Sequence, residues 1–496
     1  MLLKEIKHLK ENNQIEFKKA KGGLPNSLWS TYSAFANTNG GTIVLGIAEE
    51  EKNVFVSAKL SEKEVEDLQK QFWDTINNSL KVNCNILVDK DVYIDTYENY
   101  YILVINIKRA NRYEKPIYIN GNIYNGTYRR NHEGDYHCTK PEIDLMIKDS
   151  SNTPSDKTCL EEFSLDDLNL DSINSYKQLL NVTSPNHIFL TMSDENFYLN
   201  LGIAKKGVDG KIHLTRAGLL MFGKEYRITD EFINYFLDYQ DHRQETPDLR
   251  WIDRIQSFSG DWSGNVFDFF FKAYNKLIQD ISIPFKLDGV QRVDDTIMHK
   301  AIREALCNTL TNADYYGARG VVIKKFKDRI VFSNPGILRM SVEDILEGGN
   351  SDPRNQTILK IFSLIKIGER AGTSFQTILH AVKTMGYKMP LINESYNPDR
   401  TQITIYIENN NLNKYNVLNE NGIIDELSID ELKVFEYFKS KELIVRKEIE
   451  EKFSFGKTKS SAILNKLVEK EIIKQLGTGK NTYYKINNYI NIWYVY

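Results

Sequence analysis

The 496-residue sequence holds only four cysteines, Cys84, Cys138, Cys159 and Cys307, and no two of them form a C-x-x-C pair. That scarcity argues against a disulfide framework or a zinc knuckle. No apolar run approaches the roughly 20 residues that a membrane-spanning helix needs, so no membrane partner is expected. The first ten residues mix lysine and leucine without a long apolar stretch and cleavage site, and a cytoplasmic location is expected. No tandem repeat is visible. A dominant charge is missing too: 64 basic and 67 acidic residues leave a net charge of −3. Partners must therefore be sought in local patches rather than in a global field.

What is present suffices for folding. A hydrophobic fraction of 41% and an aromatic fraction of 11% exclude wholesale disorder. The length exceeds what one core can serve and predicts about three domains. The patterning reads as an α+β multidomain chain. Residues 1–150 show strand-like runs at 42–48, 92–96, 101–108 and 117–118, preceded by a helix over 26–37. That helix ends at Asn37-Thr38-Asn39-Gly40-Gly41, whose glycines allow a tight helix-to-strand turn. The polar stretch 149–157 is the expected linker. Residues 158–285 mix helix and strand patterns without a legible motif. A second α/β unit spans 286–410, with a helix over 294–314, a strand pair around 320–332 and a helix near 375–385. Residues 409–416 read as an Asn-rich linker.

The final unit, 420–496, is the most legible. Ser428 and Glu431 form a capping box that opens an amphipathic helix carrying Leu432, Val434, Phe435 and Phe438. A short helix over 446–453 and a third over 457–470 follow; the third buries Ile463, Leu464, Leu467 and Val468 and leaves Lys457, Lys459 and Lys466 outside. Two strands around the turn Gly477-Thr478-Gly479-Lys480 complete the pattern. Three helices and a hairpin wing resemble the winged helix-turn-helix family. The resemblance implies that the third helix enters a major groove while Lys480 touches phosphate.

At the other end stand Glu11, Glu16-Phe17-Lys18, the phrase Ser33-Ala34-Phe35-Ala36-Asn37-Thr38-Asn39-Gly40-Gly41, and Leu45-Gly46-Ile47-Ala48-Glu49-Glu50. With Lys115-Pro116-Ile117-Tyr118 and Tyr128-Arg129-Arg130, this order over about 10–135 resembles the Schlafen family's AlbA-like α/β domain. The resemblance implies a metal-dependent RNase site in which Glu11 and Glu16 match the family's paired glutamates. Glu49 falls where the family has aspartate. Clustered carboxylates of this kind hold Mg²⁺ or Mn²⁺, which activates water and offsets charge on a scissile phosphate. Around them Lys18, Lys19, Lys21, Arg109, Arg112, Lys115, Arg129 and Arg130 interleave with Tyr113, Tyr118, Tyr124 and Tyr128. Phosphate pairing and base stacking on one face are expected. Catalytic Schlafens pair two such lobes; with one copy here, a homodimer is expected.

Between the two ends, Glu304, Asn308 and Asn312 recur at four-residue spacing and share one helical stripe. Downstream come Asn334-Pro335-Gly336, Arg354-Asn355 and Gly368-Glu369-Arg370-Ala371-Gly372-Thr373-Ser374. The order resembles the sandwich-like ATPase domain of the gyrase, histidine-kinase and MutL superfamily, in the form found behind bacterial Schlafen-like domains. The string Leu214-Thr215-Arg216-Ala217-Gly218-Leu219-Leu220-Met221-Phe222-Gly223 fits that architecture too. The resemblance implies ATP as ligand, Glu304 as the water-activating base and Asn308 as a Mg²⁺ ligand with Asn312 nearby. Asn334 and Gly336 then fall beside adenine, and Gly368, Gly372 and Thr373 near phosphates. Two departures stand out: Asn334 replaces the adenine-binding aspartate, and Ser374 stands where a glycine is expected. The combined expectation is a DNA- or RNA-binding protein, regulator-like and under ATP control. The alternative is a metal-dependent endoribonuclease acting on structured RNA in stress or antiphage defence.

Overall fold

The computed structural model describes residues 14–51, 54–244, 250–279, 281, 287–288, 291–292, 296–368, 372–396, 398–408, 415–418, 424–427, 429–439, 441, 443–453, 455–470, 472–477 and 482–486. Two compact units emerge: Met1–Met385 with Ile392–Ile407, and Gly386–Leu391 with Glu408–Tyr496. Of the linker expected over 409–416, residues 409–414 lie outside the described residues, as does the capping residue Ser428, while 415 and 416 open the strand Tyr415–Leu418.

The larger unit opens with a four-stranded sheet in the order Ile15–Lys18, Gly41–Leu45, Tyr100–Ile107, Val92–Tyr97. The first pair is parallel, with Glu16 opposite Ile43, and the remaining pairs are antiparallel. A parallel pair needs a crossover, and the helix Ser27–Asn37 supplies it. Both faces of the sheet are covered. Ile43 and Leu45 join Leu28, Tyr32 and Phe35 in one core. Val44 turns the other way, to Phe17, Ile47, Tyr97 and Val104. This double burial is why 42–48 reads as a continuous apolar run rather than an alternation. The run breaks at Gly46 into two strands, Gly41–Leu45 and Ile47–Glu51. Gly40 makes the helix-to-strand turn at φ +74°, where a Cβ would sit 2.6 Å from the Ile107 carbonyl oxygen. Residues 117–118 form no strand; Tyr118 makes a single bridge to Thr127.

A second, six-stranded sheet runs in the order Asp253–Gln256, Leu237–Asp241, Val321–Lys325, Arg329–Pro335, Arg400–Tyr406, Leu391–Ser395. Helices Val266–Ile278, Ile297–Asn312 and Ser374–Met385 pack together beside it. Its strands come from both sides of residue 285, where the sequence suggested a division. The parallel pairing of Leu237–Asp241 with Val321–Lys325 joins the two segments backbone to backbone. Helix Arg216–Phe222, within the string singled out above, explains its glycine. Thr215 caps it by accepting from the Gly218 N–H at 3.0 Å. A Cβ on Gly218 would lie 2.0 Å from the Ile203 carbonyl oxygen, so helix and neighbouring chain meet backbone to backbone.

Within the expected linker 149–157, residues 151–153 and 157 are exposed, but Asp156 fastens the stretch to the larger unit. Asp156 is 1% exposed. Its carboxylate accepts from the Thr357 N–H at 2.6 Å and the Ile358 N–H at 3.1 Å, at the start of helix Gln356–Leu364. A buried carboxylate on orphan amide donors is a strong local fastening.

In the smaller unit, helices Ile429–Lys439, Arg446–Phe453 and Lys457–Glu469 precede a hairpin of Ile473–Leu476 with Tyr483–Ile486. Val434, Phe435, Phe438, Ile449, Ile463, Leu464, Leu467 and Tyr484 close its core. Ile444 bridges to Tyr484 as an added strand residue. A second hairpin pairs Tyr415–Leu418 with Ile424–Leu427.

Candidate functional site

Glu16 lies on the first strand and its carboxylate is occupied. It accepts from Lys18 Nζ at 2.9 Å and from Arg130 Nη2 at 2.8 Å. Arg130, 1% exposed at its side chain, also grips Asp135 at 2.9 Å, and Asp135 accepts from the Thr31 hydroxyl at 2.6 Å. Glu49 stands on Ile47–Glu51 opposite Phe55, and Glu11 lies outside the described residues. Among the described residues, no three of His, Cys, Asp and Glu converge to hold a metal ion. Glu16 with its two bound cations does not fit a Mg²⁺ or Mn²⁺ ligand as placed, and no cleavage step is derived from it. His132 and His137 fall on a hairpin, where the His137 ring packs on Tyr128 at 4.2 Å.

Asn37, the centre of the A-F-A-N phrase, is 3% exposed. Its side-chain amide donates to the Ile117 carbonyl at 2.8 Å and the Tyr128 carbonyl at 3.0 Å, while its oxygen accepts from the Ile117 N–H at 2.8 Å. One side chain thereby satisfies three groups of two segments that have no ladder partner there.

The eight basic residues do not share one open face. Lys19 and Lys21 are exposed. Lys18 and Arg130 serve Glu16, and Arg129 pairs with Glu142 at 2.8 Å. Arg109, Arg112 and Lys115 turn inward toward the second sheet. Arg109 clasps Glu394 at 2.5 and 3.1 Å, with both side chains 6% exposed, and donates to the Leu338 carbonyl at 2.7 Å. Arg112 bonds Asp352 and the Asp149 and Ser151 carbonyls. Lys115 donates to the Asn37 carbonyl at 2.8 Å. The single open face expected of the eight does not form: Arg109 and Arg112 bond residues of the second module, while Lys115 bonds within its own. Sequence reasoning missed the acidic half, Asp352 and Glu394, because each is distant in the chain and isolated.

Between these two modules lies a cavity of about 470 Å³, whose walls include Asn37, Lys115, Arg129, Leu145, Arg339, Arg354, Tyr396 and Asp399. Burial, with Glu142 beside it, pushes the Asp399 carboxyl up to about 6. A carboxyl held more protonated in the folded chain than at its unfolded pKa of about 3.9 gives stability fully present below that value. That stability is lost as pH rises through about 6. Wild-type melting temperature is accordingly expected to fall from about pH 4, the unfolded value, to about pH 7, one unit above the folded one, relative to Asp399→Asn. Parallel melting curves for the two proteins across that range would rule the effect out.

A smaller cavity of about 120 Å³ is walled by Asn308, Asn312, Asn334, Ile345, Gly372 and Phe375. Four of the seven residues expected at the nucleotide thus meet. Glu304, on the same helix, is buried and does not line it; Gly336 lines the larger cavity instead. Gly368 packs on Cys307, where a Cβ would meet the sulfur at 2.5 Å. Thr373 accepts from the Thr377 N–H at 3.0 Å as helix Ser374–Met385 begins. The volume is below the roughly 300–1,000 Å³ of most small-molecule sites, and residues 369–371 beside Gly372 lie outside the described residues.

Comparison with known families now bears on these modules. A model described as "Schlafen, AlbA_2" matches residues 11–139, and one described as "Putative ATP-dependent DNA helicase recG C-terminal" matches 318–405. The chain carries a Schlafen AlbA_2 domain and a RecG-type C-terminal domain. The segment between them matches a domain of unknown function, DUF8451, over 144–238. Among curated proteins nothing matches. Of solved structures, the DIP2311 protein from Corynebacterium diphtheriae is similar at 13% identity and TM-score 0.45, over 96% of this chain and 95% of its own. The N-terminal domain of a putative ATP-dependent DNA helicase RecG-related protein from Nitrosomonas europaea is similar at 24% identity and TM-score 0.22. It covers 28% of this chain and 91% of its own. The 470 Å³ cavity thus lies between the AlbA_2 domain and the RecG-type domain, with the start of DUF8451 in its wall. Among the described residues no helix is long and apolar enough to cross a membrane.

Proposed function

We propose that this protein binds nucleic acid, engaging duplex DNA through its C-terminal unit as a winged helix. One observation carries the reading. The helix Lys457–Glu469 buries Ile463, Leu464 and Leu467 on one side and keeps Lys457, Lys459 and Lys466 exposed on the other, with a hairpin following. A short helix, a turn and a basic third helix are the geometry that presents side chains to a major groove. Lys480, the expected wing contact, lies outside the described residues. Lys459 sits 2.6 Å from Asp430 and Lys466 3.6 Å from Glu431, so phosphate has to compete with acidic neighbours at both. The RecG-type description, which names an ATP-dependent DNA helicase, agrees with DNA as partner and with ATP as a ligand.

The test is duplex-DNA affinity at several salt concentrations, for wild type and for Lys457→Gln/Lys459→Gln/Lys466→Gln. Each lost phosphate contact lowers the slope of log affinity against log salt by about 0.9, so the triple variant is expected to lose up to about 2.7 of it. Equal slopes and affinities would remove the C-terminal unit from the interface.

A further inference from the structure

The cavity between the AlbA_2 and RecG-type domains carries donors with nothing to donate to. Lys115 is 7% exposed and has one hydrogen-bond acceptor, the Asn37 carbonyl, for its three N–H groups. Arg129 Nε, Arg339 Nε and the Tyr396 hydroxyl are buried with no hydrogen-bond partner among the described residues. All four residues line the same space. Unpaired donors in a protein interior are costly, so three of them and a part-used ammonium around one cavity point to a missing acceptor. The cavity's carboxylates are, by contrast, largely spoken for. Glu142 accepts from the Thr139 N–H at one oxygen and at the other has only the 2.8 Å ion-pair contact with Arg129; Asp149 is held by Arg354 and Asp314 by Lys148. Among the described residues Asp399 has charged neighbours but no hydrogen-bond partner for its carboxyl.

We propose that this cavity is a binding site for a single 5′-mononucleotide, its phosphate taken by Lys115, Arg129 and Arg339 and its base by Asp399 and Tyr396. The size fits: 470 Å³ falls within the roughly 300–1,000 Å³ of small-molecule sites. So does the chemistry. A phosphate is all acceptors and meets cationic donors in charge-assisted bonds, whereas a base edge offers the N–H donors that a lone carboxyl lacks. Apolar wall is also at hand in Leu145, Met146 and Pro398. Burial, with Arg109 close by, pushes the Lys115 ammonium well below its ordinary range, and an anion beside it would restore its charge. Because the walls belong to two domains, an occupant would bridge them and add to the Arg109–Glu394 clasp. The proposal does not depend on DNA binding by the C-terminal unit.

Calorimetric titration of the full chain tests it, using AMP, GMP, CMP and UMP, the four matching nucleosides, and inorganic phosphate. At least one 5′-mononucleotide is expected to bind, with its nucleoside and inorganic phosphate each at least about tenfold weaker, since each supplies only half of the contacts. Lys115→Met is expected to weaken that nucleotide at least about tenfold. Tyr396→Phe, which deletes one hydroxyl and leaves the packing, weakens it a few-fold and keeps the test valid if Lys115→Met fails to fold. Binding of none of the four nucleotides overturns the proposal, as does wild-type affinity in folded Lys115→Met or Tyr396→Phe. Loss of binding in Asn308→Ala with full binding in Tyr396→Phe also overturns it, because the ligand then sits in the smaller cavity.

Discussion

Replacing Arg109 with alanine is expected to destabilise the larger unit by about 3–5 kcal/mol, the cost of stranding one partner of a buried ion pair. Glu394, 6% exposed in the intact pair, would lose its guanidinium partner and keep the Leu338 N–H at 2.6 Å. Burial makes this pair differ from the surface pairs of the helix Arg446–Phe453, such as Lys447 with Glu451, where side chains are 82% and 69% exposed. Pairs of that exposed kind contribute about 0–1 kcal/mol. Urea denaturation followed by tryptophan fluorescence reads the difference. The double variant Arg109→Met/Glu394→Leu should recover much of the loss, since apolar groups of similar volume replace buried ion pairs at little cost. A loss under about 1 kcal/mol for Arg109→Ala, the range of an exposed pair, would show that the clasp does not hold the two domains.

Asn37→Asp is expected to be more damaging still, and it changes only an amide into a carboxylate of the same shape. The Asn37 amide is the donor to the Ile117 and Tyr128 carbonyls. In the aspartate, an anion would face those two acceptors at a site 3% exposed. Two bonds are lost and the Tyr128 carbonyl is orphaned, while the Ile117 carbonyl keeps the Ser33 hydroxyl at 2.7 Å; that gives about 1–3 kcal/mol, to which the buried anion adds several more. That approaches the whole stability of a typical domain, about 5–15 kcal/mol. Circular dichroism of the refolded variant, beside Asn37→Ala, decides the matter. A protein as stable as wild type would mean that the amide bonds contribute little.

The Asn37 case shows how local phrases and their roles come apart. The phrase from Ser33 to Gly41 identified the domain correctly, and the helix it predicts over 26–37 appears as Ser27–Asn37. The strands at 92–96 and 101–108 appear as Val92–Tyr97 and Tyr100–Ile107. These are local signals: an apolar period, a helix stop, a glycine where φ is positive. The same holds for the C-terminal helices, whose buried Val434, Phe435, Phe438, Ile463, Leu464 and Leu467 were legible from spacing. The site fared differently. Arg109, Arg112 and Lys115 read as an open basic face because a sequence shows a charge but not the countercharge. Asp352 and Glu394 lie 240 and 285 residues away.

What the sequence determined by itself is therefore whatever adjacent residues encode. That covers the AlbA_2 helix and strands, the helix over Ile297–Asn312 with its stripe of Glu304, Asn308 and Asn312, and the three-helix C-terminal unit. Tertiary structure decided the rest. It joined 237–256 to 321–406 in one sheet, fastened the expected linker 149–157 through buried Asp156, and spent Arg109 and Arg112 on the contact between domains. The reason is range. Helix periods and turns are set by neighbours within a few residues. Burying a charge, by contrast, depends on whether an opposite charge from elsewhere in the chain arrives to meet it.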